Sequence, residues 1–178
     1  MIIDASEKFT PEEMNEVFEV SIRKTQYYKS PEKKFPGVFR ECKKNLIHGV
    51  ILLAVTLILG IFTKFGVISI IALTLSAVLT FVAVLWLITL KKAYKESKAT
   101  WEKGGNSKIE FDEELIGVET KDTTVKIKWS DIGFIKVFNY TVGVFSSDKA
   151  RALIIPTKYW DPIAKFMEDN NIIVKFYR

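Results

Sequence analysis

Asn45 to Leu90 read NLIHGVILLAVTLILGIFTKFGVISIIALTLSAVLTFVAVLWLITL. Lys64 is the only formally charged side chain among these 46 residues, with His48 counted as neutral. In hydrocarbon a chain satisfies its backbone hydrogen bonds only as a helix or a closed barrel, and a helical span needs about 20 apolar residues. The sequence supplies two such spans, Asn45–Thr63 and Phe65–Leu90, which reach roughly 28 and 39 Å at about 1.5 Å per residue. We therefore predict a transmembrane helical hairpin.

The residues that flank this hairpin predict its orientation. The break between the spans, Thr63-Lys64-Phe65-Gly66, holds one lysine, and Gly66 is expected to permit a tight turn. Basic residues cluster at both outer ends, at Arg40, Lys43, Lys44, Lys91, Lys92 and Lys95. The positive-inside rule then predicts a multi-pass protein of the cell membrane with both termini in the cytoplasm. A buried helical pair in a soluble core is the competing interpretation, and apolar runs of this length disfavour it.

Small residues recur at a spacing of four within both spans. They are Thr56 and Gly60 in the first span and Ala72, Ser76 and Thr80 in the second. Small side chains at this spacing let two helices approach closely, so we predict that these residues pack the hairpin against itself, with homodimerisation as the weaker alternative. Neither span contains Asp or Glu, which argues against an ion-coupled transporter.

Composition divides the rest of the chain into three predicted segments. Residues 1–44 form a cytoplasmic segment, residues 91–103 a juxtamembrane helix with five lysines against two glutamates, and residues 104–178 a domain with 11 basic and 11 acidic side chains. A neutral domain lacks the concentrated basic face that nucleic-acid binding needs. With one cysteine and one histidine in the chain, we expect no metal site and no cofactor. Lys91, Lys92, Lys95 and Lys98 are predicted to face lipid headgroups.

Residues 1–44 begin with a helix signal. Thr10-Pro11-Glu12-Glu13 combines a capping residue, a proline at the first helical position and a capping box. Met14, Phe18 and Ile22 follow at a spacing of four, which predicts an amphipathic helix of about 15 residues. This helix either lies on the membrane or packs on the C-terminal domain, and a second helix is expected from Val38 into the first span.

Beyond Gly104-Gly105-Asn106, where the juxtamembrane helix should end, the hydrophobic period changes from 3.6 to 2. Lys121-Asp122 is predicted as a hairpin turn, and a helix should start at Asp161-Pro162 and run to about Asn170. A final edge strand is expected within Ile172–Tyr177. Six antiparallel strands are predicted between these points, at Lys108–Phe111, Leu115–Thr120, Thr123–Trp129, Ile132–Phe138, Thr141–Phe145 and Ala150–Ile155.

This arrangement resembles the YcxB-like family of bacterial membrane proteins. The resemblance is carried by IEFD (109–112), GVET (117–120), VKIKWSDI (125–132) and LIIP (153–156), together with the two upstream apolar helices. It implies an α+β membrane protein, in which a two-helix transmembrane hairpin precedes a small antiparallel domain with a pleckstrin-homology-like fold and a C-terminal helix. The resemblance brings no catalytic residues with it.

No nucleophile–base pair accompanies a supporting motif, so we expect a protein that is not an enzyme. Ser130-Asp131 beside Trp129 is better explained as a turn after a strand, and the Asp112-Glu113-Glu114 cluster as a solvated hairpin turn. We expect a membrane-anchored binding or regulatory module whose cytoplasmic domain recognises a protein or a lipid headgroup. The alternative is a subunit of a small oligomeric transporter or channel. Membrane lipids, a protein partner or a second copy of the chain are the expected partners.

Overall fold

The computed structural model of the chain describes residues 1–5, 9–103, 108–120 and 124–178. These residues divide into two compact units. The first unit, Phe35–Glu96, is a pair of helices; the second joins Met1–Lys34 with Ser97–Arg178 and is therefore discontinuous in sequence. In chain order the elements are β1 (Ile2–Asp4), α1 (Pro11–Ile22), α2 (Lys24–Lys29), α3 (Val38–Phe62), α4 (Val67–Lys103), β2 (Lys108–Phe111), β3 (Leu115–Glu119), β4 (Thr124–Lys128), β5 (Ile132–Val137), β6 (Thr141–Ser146), β7 (Ala152–Pro156), α5 (Trp160–Asp169) and β8 (Phe176–Tyr177).

The predicted apolar spans lie within α3 and α4. The helix predicted to start at Val38 continues without a break to Phe62, and α4 continues past Leu90 to Lys103, as expected. At about 1.5 Å per residue, the two helices are roughly 38 and 56 Å long. Both are long enough and apolar enough to cross a membrane. The class is therefore α+β, with two long apolar helices, as the sequence indicates.

The turn between α3 and α4 falls at the predicted break but uses different residues. Lys64 and Phe65 adopt the left-handed conformation, with φ of 51° and 52°, whereas Gly66 does not have a positive φ. The turn therefore lies where it was predicted, but Lys64 and Phe65, and not the glycine, take up the left-handed backbone conformation. The Phe65 amide donates to the Gly60 carbonyl at 2.7 Å, and its ring lies so close that a Cβ on Gly60 would be 2.6 Å from Phe65 Cε1. This hydrogen bond and this ring contact together hold the Phe65 backbone at its unfavourable φ.

The discontinuous unit contains two four-stranded sheets. One has the order β1-β2-β3-β4 and the other β7-β6-β5-β8. All six strands predicted between Lys108 and Ile155 are confirmed to within two residues. The final strand is shorter than Ile172–Tyr177, and β8 pairs with β5 in the parallel direction, with Ile135 opposite Phe176. The predicted helix end at Gly104-Gly105-Asn106 and the predicted turn at Lys121-Asp122 lie outside the described residues.

The core of this unit lies between the inner faces of the two sheets and α5. Phe111, Ile116 and Ile127 of the first sheet, and six inner residues of the second sheet and α5, are almost fully buried: Ile135, Val142, Val144, Leu153, Ile155 and Ile163. Alternation of apolar and polar residues along half-buried strands explains this division of faces. The C-terminal helix is confirmed with Ile163 and Met167 buried and the Phe166 ring 5.1 Å from that of Phe111.

The N-terminal segment belongs to the same unit as the sheets. The capping box is confirmed: Thr10 Oγ1 accepts from the Glu13 amide at 3.1 Å, and a Glu13 carboxylate oxygen accepts from the Thr10 amide at 2.8 Å. Helix α1 has 12 residues rather than about 15, and Ile22 is 44% exposed, although Met14 and Phe18 are buried as expected. Of the two predicted positions for this helix, the structure adopts the one on the sheet domain, where α1 contacts β6 and β7.

Candidate functional site

The open end of the helical hairpin concentrates positive charge. The rings of Phe39 and Tyr94 meet edge to face with centroids 5.7 Å apart, so the start of α3 lies beside the part of α4 near residue 94. Six basic side chains with two acidic neighbours, Glu41 and Glu96, lie at this end. We call these six side chains the basic end: Arg40, Lys43, Lys44, Lys91, Lys92 and Lys95.

The lysines predicted to face lipid, Lys91, Lys92, Lys95 and Lys98, are all exposed on α4. Lys92 approaches Glu96 at 4.0 Å, but their side chains are 77% and 67% exposed, and such a pair contributes little to stability. Sequence reasoning did not assign Arg40, Lys43, Lys44 and His48 to the site. Lys43, Lys44 and His48 follow Arg40 by three, four and eight residues, which places all four on one face of α3. This spacing is the sequence signal from which they could have been predicted.

Two open clefts adjoin on this hairpin. The first has a volume of about 510 Å³ and is lined by the basic face of α3: Arg40, Lys43, Lys44, Ile47 and His48. The second, of about 340 Å³, is an apolar groove between α3 and α4, lined by Asn45, His48, Gly49, Leu52, Leu79, Val82, Ala83 and Trp86. His48 lines both clefts. A charged surface therefore leads directly into an apolar one.

Three of the five residues predicted to pack the helices, Thr56, Ser76 and Thr80, lie at contacts between α3 and α4. The other two are Gly60 and Ala72. Thr56 Oγ1 and Ser76 Oγ lie 3.0 Å apart across the hairpin, and Ser76 is 1% exposed. Thr80 lies against Gly49, where an added Cβ would be 2.9 Å from Thr80 Oγ1 and 3.3 Å from Thr80 Cα. Ala72 is half-buried, and Gly60 receives the Phe65 ring of the turn. Gly49 was not predicted, because its importance depends on which α4 residue lies opposite it.

Glu16 of α1 holds the turn between β5 and β6. Its carboxylate accepts from the amides of Asn139 and Tyr140 at 3.1 and 2.7 Å and from Thr141 Oγ1 at 2.9 Å. Two backbone donors at a strand end would otherwise need water. One side chain thus joins the N-terminal segment to the second sheet.

Replacing Glu16 with alanine is expected to destabilise this junction by about 1–3 kcal/mol, because three donors lose a charged acceptor. Amide hydrogen exchange of residues 139–141 measures the effect. Glu12→Ala is the matched control, since Glu12 is exposed on the same helix. Equal exchange at residues 139–141 in both variants would contradict the assigned role.

A buried lysine lies beneath α2. Lys136 of β5 is 1% exposed, and its Nζ donates to the Pro31 carbonyl at 2.5 Å. The same Nζ lies 5.5 Å from the Tyr27 ring centroid and 5.7 Å from that of Phe138, which is cation–π distance. Burial lowers the pKa of Lys136, Lys34 lowers it further, and Glu32 opposes the change.

An aromatic cluster surrounds this lysine and fixes α2 on the sheet. Tyr28 packs edge to face on Phe134 and Phe145, with centroids 5.8 and 5.4 Å away, and its hydroxyl donates to the Arg151 carbonyl at 2.6 Å. Burial raises the pKa of both Tyr27 and Tyr28. We call α1 and α2 together the cover, because they occupy the face of the second sheet that points away from its core.

The motifs that suggested chemistry have structural roles. Asp112 accepts from the amides of Glu114 and Leu115 at 2.8 and 2.9 Å, and these bonds lower the pKa of Asp112. Trp129 Nε1 donates to the Asp112 carbonyl at 2.8 Å, which closes the same hairpin. Among the described residues, no group of three or more His, Cys, Asp or Glu side chains could hold a metal ion.

No protein-family model, curated protein or solved structure matches this chain. The site is therefore defined by the geometry of its own residues. That geometry places a basic end and an apolar groove on the helical hairpin, and a covered sheet with a buried lysine in the discontinuous unit.

Proposed function

We propose that this protein is a membrane-anchored, non-enzymatic binding or regulatory module. The observation that carries the proposal is the exposure of α3 and α4: only 6% of the most apolar 18-residue window of each helix is buried within the molecule. The discontinuous unit, in contrast, buries its own core. One unit therefore buries its apolar side chains in a core, as a unit surrounded by water does. The other leaves its apolar side chains exposed, which suits the hydrocarbon of a membrane.

The energetic argument favours hydrocarbon around the hairpin. Its exposed side chains include Ile51, Ile58, Ile68, Leu75 and Phe81, each between 52% and 84% exposed. Burial of one such side chain is worth about 1.5–3 kcal/mol, and soluble monomers rarely expose a contiguous apolar patch above a few hundred Å². A bilayer accepts this surface, and a helix satisfies its own backbone there.

The discontinuous unit supports a double crossing. Residues 1–34 precede the hairpin and residues 97–178 follow it, yet they form one unit. In this proposal both flanks lie on the same side of the membrane, because they belong to one compact unit. The six residues of the basic end outnumber the single lysine of the turn, and the positive-inside rule then favours the cytoplasmic side for this unit.

In this proposal the discontinuous unit is the binding domain. The resemblance to YcxB-like proteins supports a pleckstrin-homology-like fold for it, and the cover leaves its sheet edges and strand-joining loops as the surfaces for a protein or a lipid headgroup. Lys91, Lys92, Lys95 and Lys98 would attract an anionic leaflet, at about 1 kcal/mol for each lysine near its surface. The pore alternative has less support, because Thr56 and Ser76 bond to each other inside the hairpin.

Thiol labelling of the full chain tests the double crossing. With Cys42, the one native cysteine, replaced by alanine, single cysteines are placed at Lys64 in the turn and at the exposed Ser130. In intact cells a membrane-impermeant maleimide should label Lys64→Cys and leave Ser130→Cys unlabelled until the cells are opened. Labelling of both positions in intact cells, or recovery of the protein without detergent, would refute the proposed anchoring.

A further inference from the structure

The apolar groove of the hairpin is made by matching faces of two helices. Asn45, His48, Gly49 and Leu52 recur at three, four and seven residues along α3, and Leu79, Val82, Ala83 and Trp86 repeat that spacing on α4. Gly49 and Thr80 form the bottom of the groove. The two helices are so close there that a Cβ on Gly49 would lie 3.3 Å from Thr80 Cα. Apart from Asn45 and His48, the side chains that line the groove are apolar, and Trp86 is 47% exposed.

The mouth of this groove is positively charged. His48 is shared with the basic cleft, whose other polar members are Arg40, Lys43 and Lys44. All three cationic side chains are exposed. A guanidinium presents paired donors that match a phosphate, and a lysine adds a point charge. Charge and shape therefore point to an amphiphile with an anionic head.

We infer that the hairpin holds one anionic glycerophospholipid at this place, which rests on the proposed insertion of α3 and α4 in a membrane. The phosphate lies against Arg40, Lys43 and Lys44, and one acyl chain lies in the groove along Leu52, Leu79 and Val82. His48 and Trp86 lie where the headgroup and the acyl chain meet. This is the interfacial depth at which tryptophan is enriched in membrane proteins. A zwitterionic lipid binds less well, because its own ammonium faces the same three cations.

Trp86 provides a direct measurement of the lipid beside it. The full-length protein is reconstituted in vesicles of phosphatidylcholine with a minor share of phosphatidylglycerol, and the bromine-labelled acyl chains are placed on one lipid or the other. Bromine quenches nearby tryptophan fluorescence, and subtraction of the signal of a Trp86→Phe variant isolates Trp86 from the remaining tryptophans. Quenching per labelled lipid should be several times stronger with brominated phosphatidylglycerol.

Two triple variants, each of which removes three positive charges, distinguish a specific lipid site from a general electrostatic attraction of anionic lipid. Arg40→Gln with Lys43→Gln and Lys44→Gln should reduce the preference for phosphatidylglycerol at Trp86 by about tenfold, which corresponds to about 1.4 kcal/mol. Lys91→Gln with Lys92→Gln and Lys95→Gln, on α4, removes part of the general attraction for an anionic leaflet but none of the proposed phosphate contacts, so it should reduce the preference several times less than the α3 variant does. Val82→Phe, which fills the groove without a change of charge, should also abolish the preferential quenching.

The outcomes are distinct. Equal loss in both triple variants means a diffuse electrostatic attraction and overturns the site, as does the absence of any preference in the native protein. Unchanged preferential quenching in Val82→Phe overturns the placement of the acyl chain. If neither brominated lipid quenches Trp86, the hairpin is not in the bilayer, and the proposed function fails together with this inference.

Discussion

Replacing Lys136 with glutamate is expected to release the N-terminal cover from the second sheet. The new carboxylate would occupy a position that is 1% exposed, and it would face the Pro31 carbonyl, which offers no donor. An uncompensated buried charge costs about 3–5 kcal/mol, a large part of the stability of a small domain. The cover should therefore open, and the amides of α1 and α2 should exchange with solvent about two orders of magnitude faster or more.

Lys175→Glu is the matched control, because it makes the same charge change at an exposed side chain just before β8, next to the same sheet. We expect little change in the exchange of α1 and α2 for this variant. The effect of Lys136→Glu should also shrink in acid, where the buried carboxyl takes up a proton. Equal exchange in the two variants at neutral pH would contradict the role of Lys136 in docking the cover.

The same residue gives a dependence on pH with a defined sign. Because burial lowers the pKa of Lys136, the unfolded chain holds this proton up to a higher pH than the folded chain does. Stability of the cover should therefore rise as the pH rises from the folded pKa towards the unfolded value of about 10.4, and the penalty should be fully present below the folded pKa. Lys136→Met keeps the stem without the ammonium, so its stability should lack this rise.

Replacing Gly49 with leucine is expected to force α3 and α4 apart. Even a Cβ at this position would lie 2.9 Å from Thr80 Oγ1 and 3.3 Å from Thr80 Cα, and Thr80 is β-branched and stiff. Overpacking of this kind costs about 1–3 kcal/mol. The Thr56 to Ser76 contact, with hydroxyl oxygens 3.0 Å apart, should be lost in the same movement.

Disulfide formation measures this separation. In a chain with Cys42→Ala, cysteines at Thr56 and Ser76 should oxidise readily, and Gly49→Leu should slow that reaction by about tenfold or more. Gly66→Leu is the control, since a Cβ at Gly66 meets only the Thr63 carbonyl oxygen at 3.9 Å. Rapid oxidation in both leucine variants would show that Gly49 does not set the distance between the helices.

Local patterns in the sequence predict most of the elements. Alternation predicts the strands from Lys108 to Ile155, and the capping box at Thr10 predicts the start of α1. These features depend on neighbours within a few residues, so a single sequence contains them. The two apolar spans depend on composition alone and are equally visible.

What the sequence does not reveal depends on contacts between distant residues. Lys136 alternates with Ile135 and Val137, which face the core, so in the sequence it resembles a solvent-facing lysine on a half-buried strand. The segment that buries it lies more than 100 residues earlier in the chain. The pairing of β1 with β2, with Ile2 opposite Glu110, is equally remote. The importance of Gly49, and the position of the basic cleft beside the apolar groove, can be recognised only when the register between α3 and α4 is known. For the same reason, Lys91, Lys92, Lys95 and Lys98 were predicted from one helix alone, without Arg40, Lys43 and Lys44.

The discontinuity of the second unit imposes an order on biosynthesis. A ribosome makes the cover and β1 first, but their partners between Lys108 and Tyr177 emerge only after the whole hairpin. Contacts of such long separation form late, because loop closure must precede them. Until then the apolar faces of α1 and α2 remain without the sheet that buries them. The proposed insertion of the hairpin would shorten this wait, since the start of α3 then lies beside the part of α4 near residue 94.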